Sequence, residues 1–406
     1  MKLTSRNRTK EMNAIITANP QSASHRVAEL AYRYHGLKLP IEDDPELGQL
    51  LSRIPVTTKA DLVACGSERE EEYLRGAVLF SETSGSTGIP LQTPRGAKDL
   101  QWNVLNQIAA YKRHLEPGVD RIAVIHPSVL SPFVEASCHA LTLMGVGYVR
   151  LFPIPGICSY ERIHSVLARY RITAIMTTPT LAYKVLYETR DLRASGDRLP
   201  LRKVLLTGEL ISLECAANME TILGPGSRVT PFVYGSSETA TLMIGTHEGR
   251  YLPIREDFVF EVEPEDGAGA SAEGEITGRL LVTWLRDGML PILRYDTGDR
   301  FTWVRTDDSG YFRFEGRVDG GGIDPARAQI IDQAVFSLPL SVYHYQYETE
   351  RKRLSIVTGG CKCDERLIER ALLDGGGLAA DTRIVLDPEE SDFYGFSPLP
   401  KLWRIS

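Results

Sequence analysis

Between about residues 98 and 223 the hydrophobic positions switch repeatedly between two periods. Residues 98–113 carry Leu100, Val104, Ile108 and Tyr111 at spacings of three and four, the stripe of an amphipathic helix. The run Arg121-Ile122-Ala123-Val124-Ile125 is short and apolar, as a buried strand is. The alternation continues with a helix over 133–144, a strand over 147–151, a helix over 160–170, a strand over 174–177, a helix over 180–188, a strand over 203–207 and a helix near 213–223. Such αβ alternation with short connections predicts a parallel sheet covered by helices, whose ligands sit at the carboxyl ends of the strands.

Outside this section the pattern changes. A helix is predicted over 24–37, and Ile54-Pro55-Val56-Thr57-Thr58-Lys59-Ala60-Asp61-Leu62 gives a proline turn followed by Thr57 or Thr58 as the cap of a short helix. The apolar run Ala77-Val78-Leu79-Phe80 predicts a buried strand that feeds a Ser/Gly loop. From about residue 251 strand patterns dominate, including 259–263, 279–283 and 311–314. Gly320-Gly321-Gly322 then breaks the chain as a hinge or linker, and the tail mixes strands (341–347, 354–357, 383–386) with a helix near 364–373. The predicted fold is α/β: a large N-terminal body with a β-rich subdomain over residues 1–318, and a small, mobile α+β C-terminal domain on a hinge over 319–406.

Composition narrows the partners. The 406 residues are 43% hydrophobic and 24% charged, ordinary for a soluble globular protein of two or three domains. A net charge of -7 gives no case for nucleic acid or an anionic membrane as main partner, since both call for basic patches. No apolar run reaches the roughly eighteen residues of a membrane span. The N-terminus is basic without a signal-peptide core, and the six cysteines include no Cys-x-x-Cys pair. A cytoplasmic protein with reduced thiols is expected.

Five segments carry candidate chemistry. Thr83-Ser84-Gly85-Ser86-Thr87-Gly88 suits a polyphosphate, because glycines let the backbone approach while amides and hydroxyls donate to phosphate oxygens. Thr207-Gly208-Glu209 puts a glycine and a carboxylate at a strand's carboxyl end. Val233-Tyr234-Gly235-Ser236-Ser237-Glu238-Thr239 offers an aromatic face, a tight glycine and an acid, and Arg294-Tyr295-Asp296-Thr297-Gly298-Asp299-Arg300 sets acids around a Thr-Gly turn. Gly316-Arg317-Val318-Asp319 ends just before the three glycines. Taken singly, each is also an ordinary capped turn.

In order and content these segments resemble the adenylate-forming superfamily of acyl-CoA synthetases, peptide-synthetase adenylation domains and luciferases. The early Pro55-Val56-Thr57-Thr58-Lys59-Ala60-Asp61-Leu62 is most similar to the phenylacetate-CoA ligase branch. The resemblance implies an acid–thiol ligase: a small carboxylic acid and ATP give an acyl-adenylate and pyrophosphate, and a thiol of CoA or of a carrier protein's phosphopantetheine, or an amine, displaces AMP. It further implies that Thr83, Ser84, Gly85, Ser86, Thr87 and Gly88 hold the β- and γ-phosphates, that Glu238 helps bind Mg²⁺, and that Ser237 reaches the α-phosphate. Asp299 would accept from both ribose hydroxyls, Tyr234 would line one side of the adenine with Gly208 and Glu209 on the other, Gly235 would belong to the nucleotide site, and Arg317 would lie near ribose and phosphate. Asp319 is the implied pivot, and Lys401 in Pro400-Lys401-Leu402-Trp403-Arg404 the implied adenylation lysine.

By position in the family the acyl pocket lies near 128–147 and 235–243, with His126, Phe133, Glu135 and Gly235 as candidate lining residues. Two departures stand out. Leu91 occupies a place where the family often has lysine, and Gly320-Gly321-Gly322-Ile323-Asp324 replaces a lysine-bearing strand that shapes the thioester site, so adenylation is better supported than thioester formation. The alternative is a nucleotide-binding regulatory or interaction protein without chemistry.

Overall fold

The computed structural model describes residues 13–40, 46–83, 90–126, 132–154, 156–194, 199–264, 275–306, 309–318, 324–360, 365–374 and 377–388. The chain opens with β1 (Ala14–Ile16) and α1 (Pro20–His35), which starts at an Asn19 side-chain cap and stops at Gly36 in the left-handed conformation. Next come α2 (Leu47–Leu51), α3 (Lys59–Glu68), α4 (Glu70–Gly76) and α5 (Ala97–Tyr111). The alternating section is β2 (Arg121–Ile125), α6 (Pro132–Met144), β3 (Gly147–Leu151), α7 (Tyr160–Arg169), β4 (Ala174–Thr177), α8 (Pro179–Glu188), α9 (Arg190–Ala194), β5 (Lys203–Leu206), α10 (Leu213–Leu223) and β6 (Arg228–Pro231). Then follow β7 (Val233–Ser236), β8 (Ala240–Gly245), β9 (Tyr251–Pro253), β10 (Phe258–Pro264), β11 (Glu275–Trp284), β12 (Tyr295–Arg305) and β13 (Gly310–Arg317). The C-terminal unit comprises α11 (Pro325–Phe336), β14 (His344–Glu348), β15 (Arg353–Val357), α12 (Glu365–Asp374) and β16 (Arg383–Leu386).

The alternating section forms the expected parallel sheet, in the order β3-β2-β4-β5-β6. Strands β2, β4, β5 and β6 are buried on both faces, while the edge strand β3 is largely exposed: on β2, Ile122 and Val124 pack with α5 and α6, and Ala123 and Ile125 face the cluster of α7, α8 and α10. The β-rich part is one antiparallel sheet of eight strands, β1-β10-β11-β12-β13-β9-β8-β7, in which the three-residue β1 pairs with β10. The third sheet, β14-β15-β16, belongs to the C-terminal unit, whose strands and helices match the α+β content expected of the tail.

One difference from the sequence-based picture has a physical cause. The run 77–80 is no buried strand. It forms one side of a ribbon joined by the bridges Leu79–Arg95 and Glu82–Gln92, and Val78 and Phe80 point outward, each more than half exposed. A four-residue apolar run has no period by which to tell a core strand from an outward-facing one. The C-terminal unit packs on the large body: Ile331, Val335, Phe336 and Tyr343 lie in the same apolar cluster as Leu181, Tyr183, Val185 and Met219 of α8 and α10. Fully buried Asp332 accepts from Ser212 Oγ (2.6 Å) and Tyr345 OH (3.0 Å), and Asn218 donates to the Leu340 carbonyl at 3.0 Å. The expected domain boundary at Asp319, the three glycines, Lys401 and residues 84–88 of the phosphate loop fall outside the described residues.

Candidate active site

The carboxyl edge of the parallel sheet collects the second and third motifs. Thr207-Gly208-Glu209 leaves β5, with Gly208 at φ +86°, a conformation that favours glycine. Glu209 turns toward α8, where one carboxylate oxygen accepts from Thr180 N (3.0 Å) and Thr180 Oγ1 (2.6 Å), and the helix N-terminus favours its charge. Thr207 Oγ1 donates to the Val233 carbonyl (3.1 Å), tying this loop to the next. Val233-Tyr234-Gly235-Ser236 forms β7 and reverses into β8 within three residues. Gly235 is required there, because a Cβ would stand 2.0 Å from the Ala240 carbonyl oxygen.

Antiparallel pairing then brings together two motifs distant in sequence. Asp299 on β12 is the register partner of Arg317 on β13, with Arg317 Nε 3.9 Å from Asp299 Oδ1 and Val318 N donating to Gly298 O. Tyr234 reaches across from β7 and donates through its hydroxyl to Asp299 Oδ2 at 2.7 Å. Its ring packs edge-on against Phe301, centroids 4.7 Å apart. Burial pushes the Asp299 carboxyl up to about 6, against the opposing pull of Arg317 and the Tyr234 hydrogen bond. The turn itself is pinned: Asp296 accepts from Gly298 N and Arg279, and Thr297 Oγ1 donates to Leu280 O.

Glu238 and Ser237 sit on the reversal after β7. Buried Tyr295 donates its hydroxyl to Glu238 Oε1 at 2.8 Å, and Trp284 Nε1 donates to Thr239 O at 3.1 Å. Among the described residues no group of three or more His, Cys, Asp and Glu is placed to hold a metal. Glu238 is a hard oxygen donor of the kind Mg²⁺ uses when it takes one or two carboxylates and completes its shell with phosphate oxygens and water. The residues present fit that ion.

Facing this turn is the phosphate-loop ribbon. Thr83 N donates to Leu91 O and Leu91 N to Thr83 Oγ1, both at 2.9 Å, which closes the base of the loop. Leu91 is 1% exposed, so the place where the family often has lysine is here a core position.

The acyl-pocket candidates are placed less tightly. His126 follows β2 at the ligand edge, with its ring 5.6 Å from Phe133. Glu135 contacts His139 (3.2 Å) and Arg150 (3.8 Å) in a half-exposed cluster where the Arg150 guanidinium already pairs with it. Three residues with structural bearing on the site went unassigned in the sequence. Tyr295 was visible inside its motif. Thr57, whose N donates to Arg294 O and whose carbonyl accepts from Asp296 N, was visible only as a candidate cap, and Arg95 lies in no motif.

The sequence matches the family model described as AMP-binding enzyme over residues 17–263, more than half of the chain. A search of curated proteins returned no match. A crystal structure of 2-hydroxyisobutyryl-CoA ligase in the postadenylation state, in complex with 2-HIB-AMP, is similar with a TM-score of 0.74 at 15% identity, covering 96% of this chain and 90% of that one. The same ligase in complex with R3-HIB-AMP gives 0.73 at 16% identity, over 95% and 86%. Its thioesterification state, with 2-HIB-AMP and CoA, gives 0.59 at 15% identity, over 95% and 89%. At these identities the likeness establishes the α/β fold, while the family match rests on the sequence itself. The ordered motifs that converge at the sheet edge therefore have a family to belong to, and the chain is a member of the AMP-binding enzyme family.

Proposed function

We propose that this enzyme activates a small carboxylic acid with ATP and passes the acyl group to a thiol, of CoA or of a carrier protein's phosphopantetheine. The convergence of Asp299, Tyr234, Ser237 and Glu238 opposite the base of the Thr83 loop carries the reading. The order of half-reactions is inferred from 2-hydroxyisobutyryl-CoA ligase, whose structures hold an acyl-AMP and, in one state, CoA as well.

In the first half-reaction a carboxylate oxygen bonds to the α-phosphorus, the bond to the bridging oxygen breaks, and pyrophosphate leaves. An anion attacks an anion, so the site must supply donors where charge develops. On this assignment Asp299 anchors the ribose and Tyr234 fixes the carboxylate that does so. Ser237 donates to the α-phosphate, and Thr83 with residues 84–88 holds the β- and γ-phosphates. Glu238, oriented by the Tyr295 hydroxyl, would hold Mg²⁺, which when bound neutralises phosphate charge. Lys401 bridges the substrate carboxylate and the α-phosphate. In the second half-reaction a thiolate attacks the acyl carbon and AMP leaves.

Carboxylate-dependent exchange of labelled pyrophosphate into ATP tests the reading across a panel of aliphatic, aromatic, hydroxy and amino acids. At least one acid should support exchange, and Lys401→Ala should lower it by about two orders of magnitude or more, the scale of losing one aimed donor. Silence across the panel together with no ATP binding would sink the proposal. ATP binding without exchange would favour a nucleotide-binding module.

A further inference from the structure

Arg95 is a charged side chain that the reading above leaves without a task. It is 1% exposed, and its backbone is fully engaged in the phosphate-loop ribbon, with its N donating to Leu79 O and its carbonyl accepting from Val78 N and Leu79 N. The side chain leaves the ribbon and crosses to the opposite turn. There Nη2 donates to the Ser237 carbonyl and, at 3.1 Å, to the Glu238 carbonyl. The guanidinium lies 5.4 Å from the ring centroid of Trp284, the residue that also holds the Thr239 carbonyl. Nε and Nη1 find no hydrogen-bond partner among the described residues. Asp99, held by Gly96 N and Met289 N, is the nearer acid in electrostatic effect, followed by Glu238.

Burying a guanidinium with two nitrogens unsatisfied is costly, and an apolar residue of similar volume would pack this space without that cost. What such a residue cannot do is donate to two consecutive carbonyls. Those carbonyls stand on either side of the Glu238 Cα, so holding them fixes the backbone from which the Ser237 hydroxyl and the Glu238 carboxylate project. We propose that Arg95 is a positioning residue for the adenylation reaction, fastening the Ser237–Glu238 turn to the phosphate-loop ribbon so that the two phosphate-handling segments keep one spacing. The proposal rests on the function proposed above. Arg95 touches neither substrate nor metal and acts through Ser237 and Glu238.

The test uses full-length Arg95→Met and Arg95→Lys and reads three quantities: adenosine binding, the Mg²⁺ concentration for half-maximal pyrophosphate exchange, and the exchange kcat. Adenosine reports the Asp299 side of the site and should bind each variant within about twofold of the parent, as expected for an intact fold with independent sites. Arg95→Met should raise the Mg²⁺ requirement about tenfold and lower kcat about a hundredfold, the scale of misplacing an aimed donor. Arg95→Lys keeps the buried charge but not the planar fork, and should show the same Mg²⁺ shift with a smaller loss of kcat. It also carries the test should Arg95→Met fail to fold. A loss of adenosine binding in parallel with exchange would make Arg95 structural only and overturn the proposal, as would exchange in both variants at the parent's Mg²⁺ requirement. Absence of exchange in the parent itself overturns the proposed function and this inference with it.

Discussion

Asp299 is the residue whose environment says most about how the site titrates. Its side chain is 17% exposed, and one carboxylate oxygen is taken by the Tyr234 hydroxyl. A carboxyl with its pKa near 6 is half protonated at that pH, and only the ionised form accepts from two ribose hydroxyls at once. Affinity for adenosine, which has no phosphate to titrate, should therefore rise about tenfold per pH unit below 6 and level off above about 7. The sign for stability is opposite. The folded carboxyl binds its proton more tightly than the unfolded one, so this group's contribution to apo stability declines as pH rises from about 4 to about 6. Asp299→Asn should abolish the pH step in adenosine binding and weaken binding by about 2 kcal/mol, near thirtyfold, the worth of a charge-assisted hydrogen bond. A pH step that survives in Asp299→Asn would assign the titration to another group. The acid was readable in Tyr295-Asp296-Thr297-Gly298-Asp299 from the sequence, but its partner was not: nothing local says that Tyr234, 65 positions earlier, aims its hydroxyl at it.

The alternating section was legible, because its central strands read as short continuous apolar runs set between helices that each carry one apolar stripe. The parallel sheet and its helices follow that rule. What the pattern hides is contact made by one or two residues across long separations. Thr57 is the example: its backbone bridges Tyr295, and its hydroxyl donates to the Leu293 carbonyl, 236 positions away, at 2.7 Å, so the loop before α3 clamps the start of β12. Its neighbour Thr58 does local work instead, capping α3 in a reciprocal box with Asp61. The two threonines should therefore separate by experiment. Thr58→Ala should cost about 1 kcal/mol of stability with the nucleotide KM unchanged. Thr57→Val strands a buried carbonyl, should cost about 1–3 kcal/mol, and should raise the KM for ATP because Asp299 lies on the strand it clamps. Denaturant unfolding and pyrophosphate exchange on both variants decide it, and an equal effect on KM would remove the clamp from the account of the site.

At the scale of the whole molecule the question is whether the C-terminal unit stays where the structure seats it. Its joint is an apolar face, with Phe336 stacked on Tyr183 at 5.4 Å, and the buried Asp332 bound to Ser212 at the N-cap of α10. Unseating the unit would return Asp332 to water, and keeping it seated without the Ser212 hydroxyl removes one of the donors to a buried carboxylate. Ser212→Ala should therefore bias the molecule against the seated arrangement by about 1–3 kcal/mol. If the unit swings between half-reactions about the proposed pivot at Asp319 and the seated arrangement is the adenylating one, pyrophosphate exchange should slow about tenfold or more, while thioester formation from supplied acyl-AMP and CoA holds or quickens. Equal slowing of both half-reactions would mean that the joint persists throughout the cycle and that the C-terminal unit acts as a fixed wall of the site.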